Sequence, residues 1–561
     1  MEKIVIYQVF TRLFGNDCRT CKPWGDKSTN GCGLMNDFTA RALQQIKALG
    51  TTHIWYTGLI EHATQSDFTS FGIPMDNPGV VKGLAGSVYA IKDYYDIDPD
   101  LSSSVIARMK EFESLVKRTH KADLKMIIDF VPNHVARHYH SDAAPEGVID
   151  LGADDNQFHA FNPNNNFYYN PYEELHADFD LRGYHEYPAK ATGNDNFSSW
   201  AHQNDWYETV KLNYGVDYMG GRACHFDPIP DTWNKMLDIL LFWAGKGVDG
   251  FRCDMAEMVP VEFWHYAIGK VKEQYPDIIF IAEVYNPNEY RNYIHHGGFD
   301  YLYDKVGLYD TLRNVICEYA GANSITESWQ KVDDIRQHML NFLENHDEQR
   351  LASDFFAGNS LKGRPGIIVS ACMGTNPVMI YFGQELGERG MDAEGFSGRD
   401  GRTTIFDYWT VDKIRRWRNE GKFDGRKLTP DEVSLQEFYS RVLTLCNTEK
   451  AIREGEFYDL MYANPRSDSF SPNHHYAFLR RKDNEVILIV VNFSNRDQKL
   501  SINIPKHVFE YYGIPECEFV KAEGLLTGAF FNISFTSEHP TELLVPAYSG
   551  RMMKMKLDKQ D

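Results

Sequence analysis

Two hydrophobic patterns alternate along most of this chain. Short runs of apolar and β-branched residues lie at 4–10, 53–57, 125–130, 248–253, 278–282, 301–303, 339–343 and 378–382, and read as strands. Longer stretches between them repeat apolar residues every three or four positions, as amphipathic helices do. The stretch 38–49 ends at Gly50, a residue suited to a helix C-terminus. Stretches 104–121 and 232–246 behave alike, and the second passes through Gly247 straight into a strand. Eight strands alternating with helices predict a closed parallel (β/α)8 barrel, of class α/β. The barrel is expected over 1–134 and 231–446.

The interval 135–230 breaks this alternation. It is rich in Asn, Asp, Tyr, His and Gly and shows no strong period. So long an irregular stretch inside a compact domain is usually functional or a small domain of its own. Its position after the third strand predicts an inserted domain on the rim where strands end. After Asn447 helical spacing disappears. Short runs near 475–480, 486–492 and 543–546 are divided by polar turns and predict an antiparallel β-sandwich domain over 447–561.

Composition narrows the function. The 561 residues carry a formal net charge of −21, which argues against nucleic acid or an anionic membrane surface as the main partner. No apolar run approaches the roughly 18 residues of a membrane span. The N-terminal residues read as a first strand rather than a signal peptide, so the chain as written is expected in the cytoplasm. Nine Cys are scattered, several in apolar segments (Cys253, Cys317, Cys372, Cys446), as free thiols would be. Cys18, Cys21 and Cys32 share a polar loop. With no second pair at matching spacing, they are read as incidental thiols rather than a zinc site.

Four segments carry the chemistry, each at or just past a strand end. They are Asp129–His134, Gly250–Asp254, Ile281–Glu283 and Glu344–Asp347. Alternate strand residues face one way, so Arg252 and Asp254 point together into the barrel. An Arg beside a carboxylate lowers its pKa, which suits a nucleophile, although a structural salt bridge has the same form. Glu283 closes an apolar run, where partial desolvation would raise its pKa and suit a proton donor. A helix cap would look the same. Asp347 and His346 follow another apolar run, and His134 lies past the third strand. Three acids at separate strand ends match what glycosidic cleavage requires, and polar groups at four C-terminal rims read as catalytic. An isomerase on this scaffold would need a metal cluster or a phosphate-binding loop, for which Gly383–Gly387 is too short. A non-catalytic glucan-binding barrel would typically lack one of the three acids.

Taken together and in this order, the segments resemble the four motif regions of the α-amylase family, glycoside hydrolase family 13. The segment Val88–Asp93 resembles the one whose Tyr stacks on the sugar at the cleavage site. The interval 135–230 resembles the family's B domain, and 447–561 its C domain. The resemblance implies Asp254 as nucleophile, Glu283 as general acid/base and Asp347 as transition-state stabiliser, with Tyr89, His134, Arg252 and His346 in the same subsite. It implies retention of configuration and a covalent glycosyl-enzyme on α-1,4-linked starch or maltooligosaccharides. The carboxyls of Asp254 and Glu283 should then stand about 5–5.5 Å apart. No organic cofactor is expected. Asn133 matches a calcium-ligand position, and Asp227 is a candidate second ligand. The sequence departs at Glu257 and Met258, where many α-amylases carry Lys-His on the leaving-group side. An exo-acting α-glucosidase or a 4-α-glucanotransferase on the same scaffold is the alternative.

Overall fold

The computed structural model describes residues 2–557. Eight parallel strands close into a barrel. They are β1 (Val5–Phe10), β2 (His53–Thr57), β3 (Lys125–Phe130), β4 (Gly250–Cys253), β5 (Ile279–Ala282), β6 (Tyr301–Tyr303), β7 (Met339–Phe342) and β8 (Val378–Tyr381). β1 pairs with both β2 and β8, which seals the ring and leaves no free edge. Strands covered on both faces can be apolar throughout, and β1, β2, β4, β7 and β8 are buried at every position.

Helices pack outside the ring with their apolar stripes inward. Ala40–Ala48 is capped by Thr39, whose hydroxyl accepts from the Ala42 N–H at 3.2 Å. Gly50 follows at φ +92°, in the left-handed conformation expected of it. Arg108–Lys121 is preceded by a 3-10 turn, Val105–Ala107, and Asp231–Gly245 leads through Gly247 into β4. Pro430–Thr448 starts with a reciprocal cap between Thr429 and Glu432.

The chain leaves the barrel twice on the C-terminal rim. After β2, an antiparallel pair, Ile60–His62 with Ile91–Ile97, projects from it. After β3 comes the long insertion. Its aperiodic sequence forms two- and three-residue strands in pairs, such as His134–Ala136 with Thr209–Lys211. A small core of its own includes Leu175, Tyr184, Ala201 and Tyr207, with Val80 contributed from the first excursion. A buried Arg137–Glu186 ion pair at 2.7 Å adds a polar clasp.

Beyond the barrel lies an antiparallel six-stranded sheet, with a two-stranded sheet, Gln498–Ile502 with Thr541–Val545, completing the sandwich. Helical structure does not vanish here as the sequence pattern suggested. Lys506–Tyr512 is a helix, which buries Val508, Phe509 and Tyr512 and stops at left-handed Gly513. At seven residues it is too short for its spacing to stand out. All nine Cys are free. The thiols of Cys18, Cys21 and Cys32 each meet a different backbone carbonyl and share no centre. Among the described residues, no helix is long and apolar enough to cross a membrane.

Candidate active site

The pocket at the C-terminal rim is organised by one buried guanidinium. In the barrel register Arg252 of β4 lies beside Asp129 of β3 and Ile281 of β5. Its Nη1 donates to Asp254 Oδ1 at 2.7 Å and to Asp129 Oδ1 at 3.3 Å. Its Nη2 donates to Glu283 Oε2 at 2.8 Å, and its Nε to the Tyr303 hydroxyl at 3.1 Å. The rings of Trp55, Tyr89 and Tyr303 surround the guanidinium at 5.2–5.5 Å. Asp347 completes the set of acids from the loop after β7.

Four acids around one cation set the electrostatics. Arg252 was expected to hold Asp254 low, and that expectation fails. Burial, reinforced by Glu283, Asp347 and Asp129, outweighs the guanidinium and displaces Asp254 well above the usual carboxylate range. Burial also lifts Asp129 to about 6, against Arg252 and the Trp55 indole N–H at 3.0 Å. Asp347, the most exposed of the acids, is pushed up to about 7 by burial and Glu283.

Glu283 directly follows the apolar strand β5 and is buried, and there it sits in a polar nest. Beside Arg252, its Oε2 accepts from the Met255 N–H at 2.8 Å, and its Oε1 accepts from the Tyr285 hydroxyl at 2.6 Å. Met255 holds the left-handed backbone, φ +42°, that aims its N–H. Such conformations cluster at functional sites.

The two expected histidines are buried and displaced toward neutrality. Burial and Arg252 lower His346 well below the usual imidazole value. Gln8 Nε2 donates to its Nδ1 at 2.9 Å, so its proton lies on Nε2, facing the Tyr89 hydroxyl at 2.5 Å and Asp347 Oδ2 at 3.0 Å. Burial lowers His134 to about 3, aided by Lys211. Asp254, Glu283, Asp347, Tyr89 and His134 all line one cavity of about 220 Å³.

The expected calcium pair is not brought together. Asn133 is fully buried, but its amide oxygen accepts from the Lys211 ammonium, while its Nδ2 donates to Gly193 O at 2.8 Å. Lys211 also pairs with Asp195 at 2.7 Å. A side-chain cation from the insertion therefore occupies the face of Asn133 that a metal would need. Asp227 lies exposed on a loop. The departure at Glu257 also gains a reason. Its Oε2 accepts from the backbone N–H groups of Tyr285 and Asn286 at 3.2 and 3.0 Å, fastening the loop beyond Glu283.

Several residues at the pocket escaped the sequence reading. Trp206, Glu208 and Thr209 come from the insertion, Lys82 from the first excursion, and Ile405 and Phe406 from the segment after β8. Lys82 and Glu208 pair at 3.0 Å. No periodicity marks any of them. Tyr285, two residues past Glu283, and Tyr303, the last residue of β6, carried a usable signal in their places at strand ends.

The alpha amylase catalytic-domain family matches residues 21–427, most of the chain. The chain belongs to the alpha-amylase family. It is therefore a glycoside hydrolase that acts on α-glucans. It is 22% identical over 522 residues to alpha-amylase 3 of Dictyoglomus thermophilum, covering 90% of this chain and 87% of that one. It is 21% identical to a cyclomaltodextrinase of Thermoanaerobacter pseudethanolicus, covering 89% and 71%. In fold it is similar to the alpha-amylase of Geobacillus thermoleovorans solved with acarbose, with a TM-score of 0.64 at 20% identity over 99% and 98% of the two chains.

Proposed function

We propose that this protein cleaves α-1,4-glucosidic bonds of maltooligosaccharides or starch with retention, through a covalent glycosyl-enzyme. The observation that carries this reading is the single Arg252 fork bridging Asp254 and Glu283. Two carboxyls spanned by one guanidinium suit the separation of about 5–5.5 Å used by retaining enzymes, rather than the wider gap that accommodates an inverting water. Asp254 Oδ1 is held by Arg252, and Oδ2 takes no hydrogen bond among the described residues. That oxygen is free to attack the anomeric carbon. Glu283 gives its proton to the departing glycosidic oxygen as the bond breaks. Water then attacks the same carbon, Glu283 takes back a proton, and Asp254 leaves as a carboxylate.

Four acids beside one guanidinium retain at least one proton near neutrality, and the reaction needs it on Glu283. Asp347 and the neutral His346 face the sugar from the β7 loop. Asp347 stabilises the positive charge that develops on the ring, and His346 donates from Nε2 to a hydroxyl. The Tyr89 ring supplies the flat face on which the sugar lies. Lys211 supplies the positive charge at Asn133, so this reading needs no calcium there.

A second reading, an exo-glucosidase or glucanotransferase, is favoured by the small cavity, below the ~300 Å³ of an ordinary ligand pocket. The commitment of Glu257 to backbone in place of leaving-group contacts points the same way. A time course on maltoheptaose, resolved by chain length and anomer, tests both. Early maltose and maltotriose in the α form support the endo reading. Glucose alone, or products longer than the substrate, supports the second, and β-anomeric products overturn retention.

A further inference from the structure

A second acidic cluster lies in the first excursion, apart from the rim acids. Glu61, Asp93 and Asp96 are each no more than 2% exposed, and Asp142, at the start of the insertion, closes the group from the solvent side. One oxygen from each lies within 4.8 Å of all the others. That limit is twice a calcium–oxygen bond of about 2.4 Å, so any two of the four are close enough to share one ion.

The strand register makes the cluster costly without a cation. Glu61 and Asp93 are direct cross-strand partners, with irregularities in pairing on both sides of Glu61. Like charges placed directly opposite repel, and such irregularities re-aim side chains. Nearby cations leave Glu61 and Asp93 without an ion-pair partner among the described residues. Arg108 binds Asp96 and approaches Asp142 at 3.9 Å, Lys92 is held by Asp76 at 3.1 Å and by Pro74 O, and His62 pairs with Asp98 at 2.9 Å. Asp93 accepts from Ser141 Oγ, and from the N–H groups of Tyr95, Asp142 and Ala143, at 2.7–3.2 Å. Glu61 Oε2 is buried and has no hydrogen-bond partner among the described residues.

We propose that Glu61, Asp93, Asp96 and Asp142 bind one calcium ion, which pins the start of the inserted domain to the strand pair of Ile60–His62 and Ile91–Ile97. A divalent ion offsets the charge that Arg108 leaves uncompensated. A buried cage made wholly of carboxylates suits calcium better than magnesium, which retains several waters. The site is separate from Asn133 and Asp227.

The test uses the full chain, stripped with chelator, dialysed against calcium or magnesium, and measured for bound metal and thermal unfolding. The expected result is one calcium per chain and a raised Tm, with magnesium failing to substitute. Glu61→Gln and Asp142→Asn should each lose the bound ion and the calcium-dependent rise. Calcium-free wild type, or full calcium binding by either variant, overturns the site. If Glu61→Gln does not fold, Asp142→Asn at the accessible edge decides alone. Neither readout involves glucan, so the outcome is independent of the proposed reaction.

Discussion

Asp254→Asn should move activity and stability in opposite directions. The substitution keeps shape and an acceptor for Arg252 Nη1, which donates to Asp254 Oδ1 at 2.7 Å. It removes the nucleophile, so turnover should fall by about 10⁴-fold or more, as losses of nucleophiles do. For stability, the sign follows from Asp254 being displaced upward. A carboxyl whose folded pKa lies above its unfolded value of about 3.9 favours folding only while protonated. That contribution is lost as pH rises through the folded value, so ionised Asp254 weakens the fold at neutral pH. Burial is the largest cause of that displacement and outweighs the attraction of Arg252. Relieving a buried charge whose desolvation exceeds its pairing gains about 1–4 kcal/mol. That is a Tm rise on the order of 1–4 °C for a barrel this large. Maltooligosaccharide turnover and differential scanning calorimetry at pH 7 check the two halves. Activity within tenfold of the parent, or a Tm several degrees lower, would refute the reasoning and make Asp254 a structural ion-pair partner.

Three further predictions rest on neighbouring geometry. Arg252→Met strands Asp129, Asp254 and Glu283 without their shared cation, and urea unfolding should show a loss of about 3–5 kcal/mol. Tyr285→Phe removes the 2.6 Å hydrogen bond that orients the Glu283 carboxyl, worth about 0.5–1.5 kcal/mol. Its kcat/KM should fall by about twofold to tenfold, with Tm nearly unchanged. In metal-free buffer Tm should decline from pH 7 to pH 9, because Glu61 is raised to about 9 and the stability its proton supplies is lost up to that value, while Glu385, raised to about 7, adds only the tail of its own loss at the start of the window. His134 and His53, lowered to about 3, are already neutral there and do not oppose the trend. A flat profile would show that these carboxyls are not the titrating groups.

What could be read from the sequence was what a strand reports about itself. Alternation within β4 was enough to put Arg252 and Asp254 on one face, and apolar runs located all eight strand ends to within one residue. What a strand cannot report is its neighbour's register. Arg252 meets Asp129 because β4 pairs with β3 in one particular alignment, and it meets Glu283 because β5 pairs in another. A local reading therefore saw one salt bridge where there are three, and it assigned Asp254 the wrong direction of displacement. Lys211 on Asn133 is a contact across 78 residues from an aperiodic insertion, beyond any pattern in either segment. Glu61 was missed for a related reason. Ile60–His62 is three residues long, too short for alternation to show, and only pairing with Ile91–Ile97 sets its carboxyl against Asp93. In both acidic groups the residue types were visible early, and what the fold added was crowding. At the rim, crowding is relieved by one arginine shared among three acids, which leaves a proton for catalysis to use. Around Glu61 the one arginine in contact, Arg108, meets Asp96 and Asp142 and leaves Glu61 and Asp93 without an ion-pair partner among the described residues, which is why that cluster calls for a metal and the rim does not.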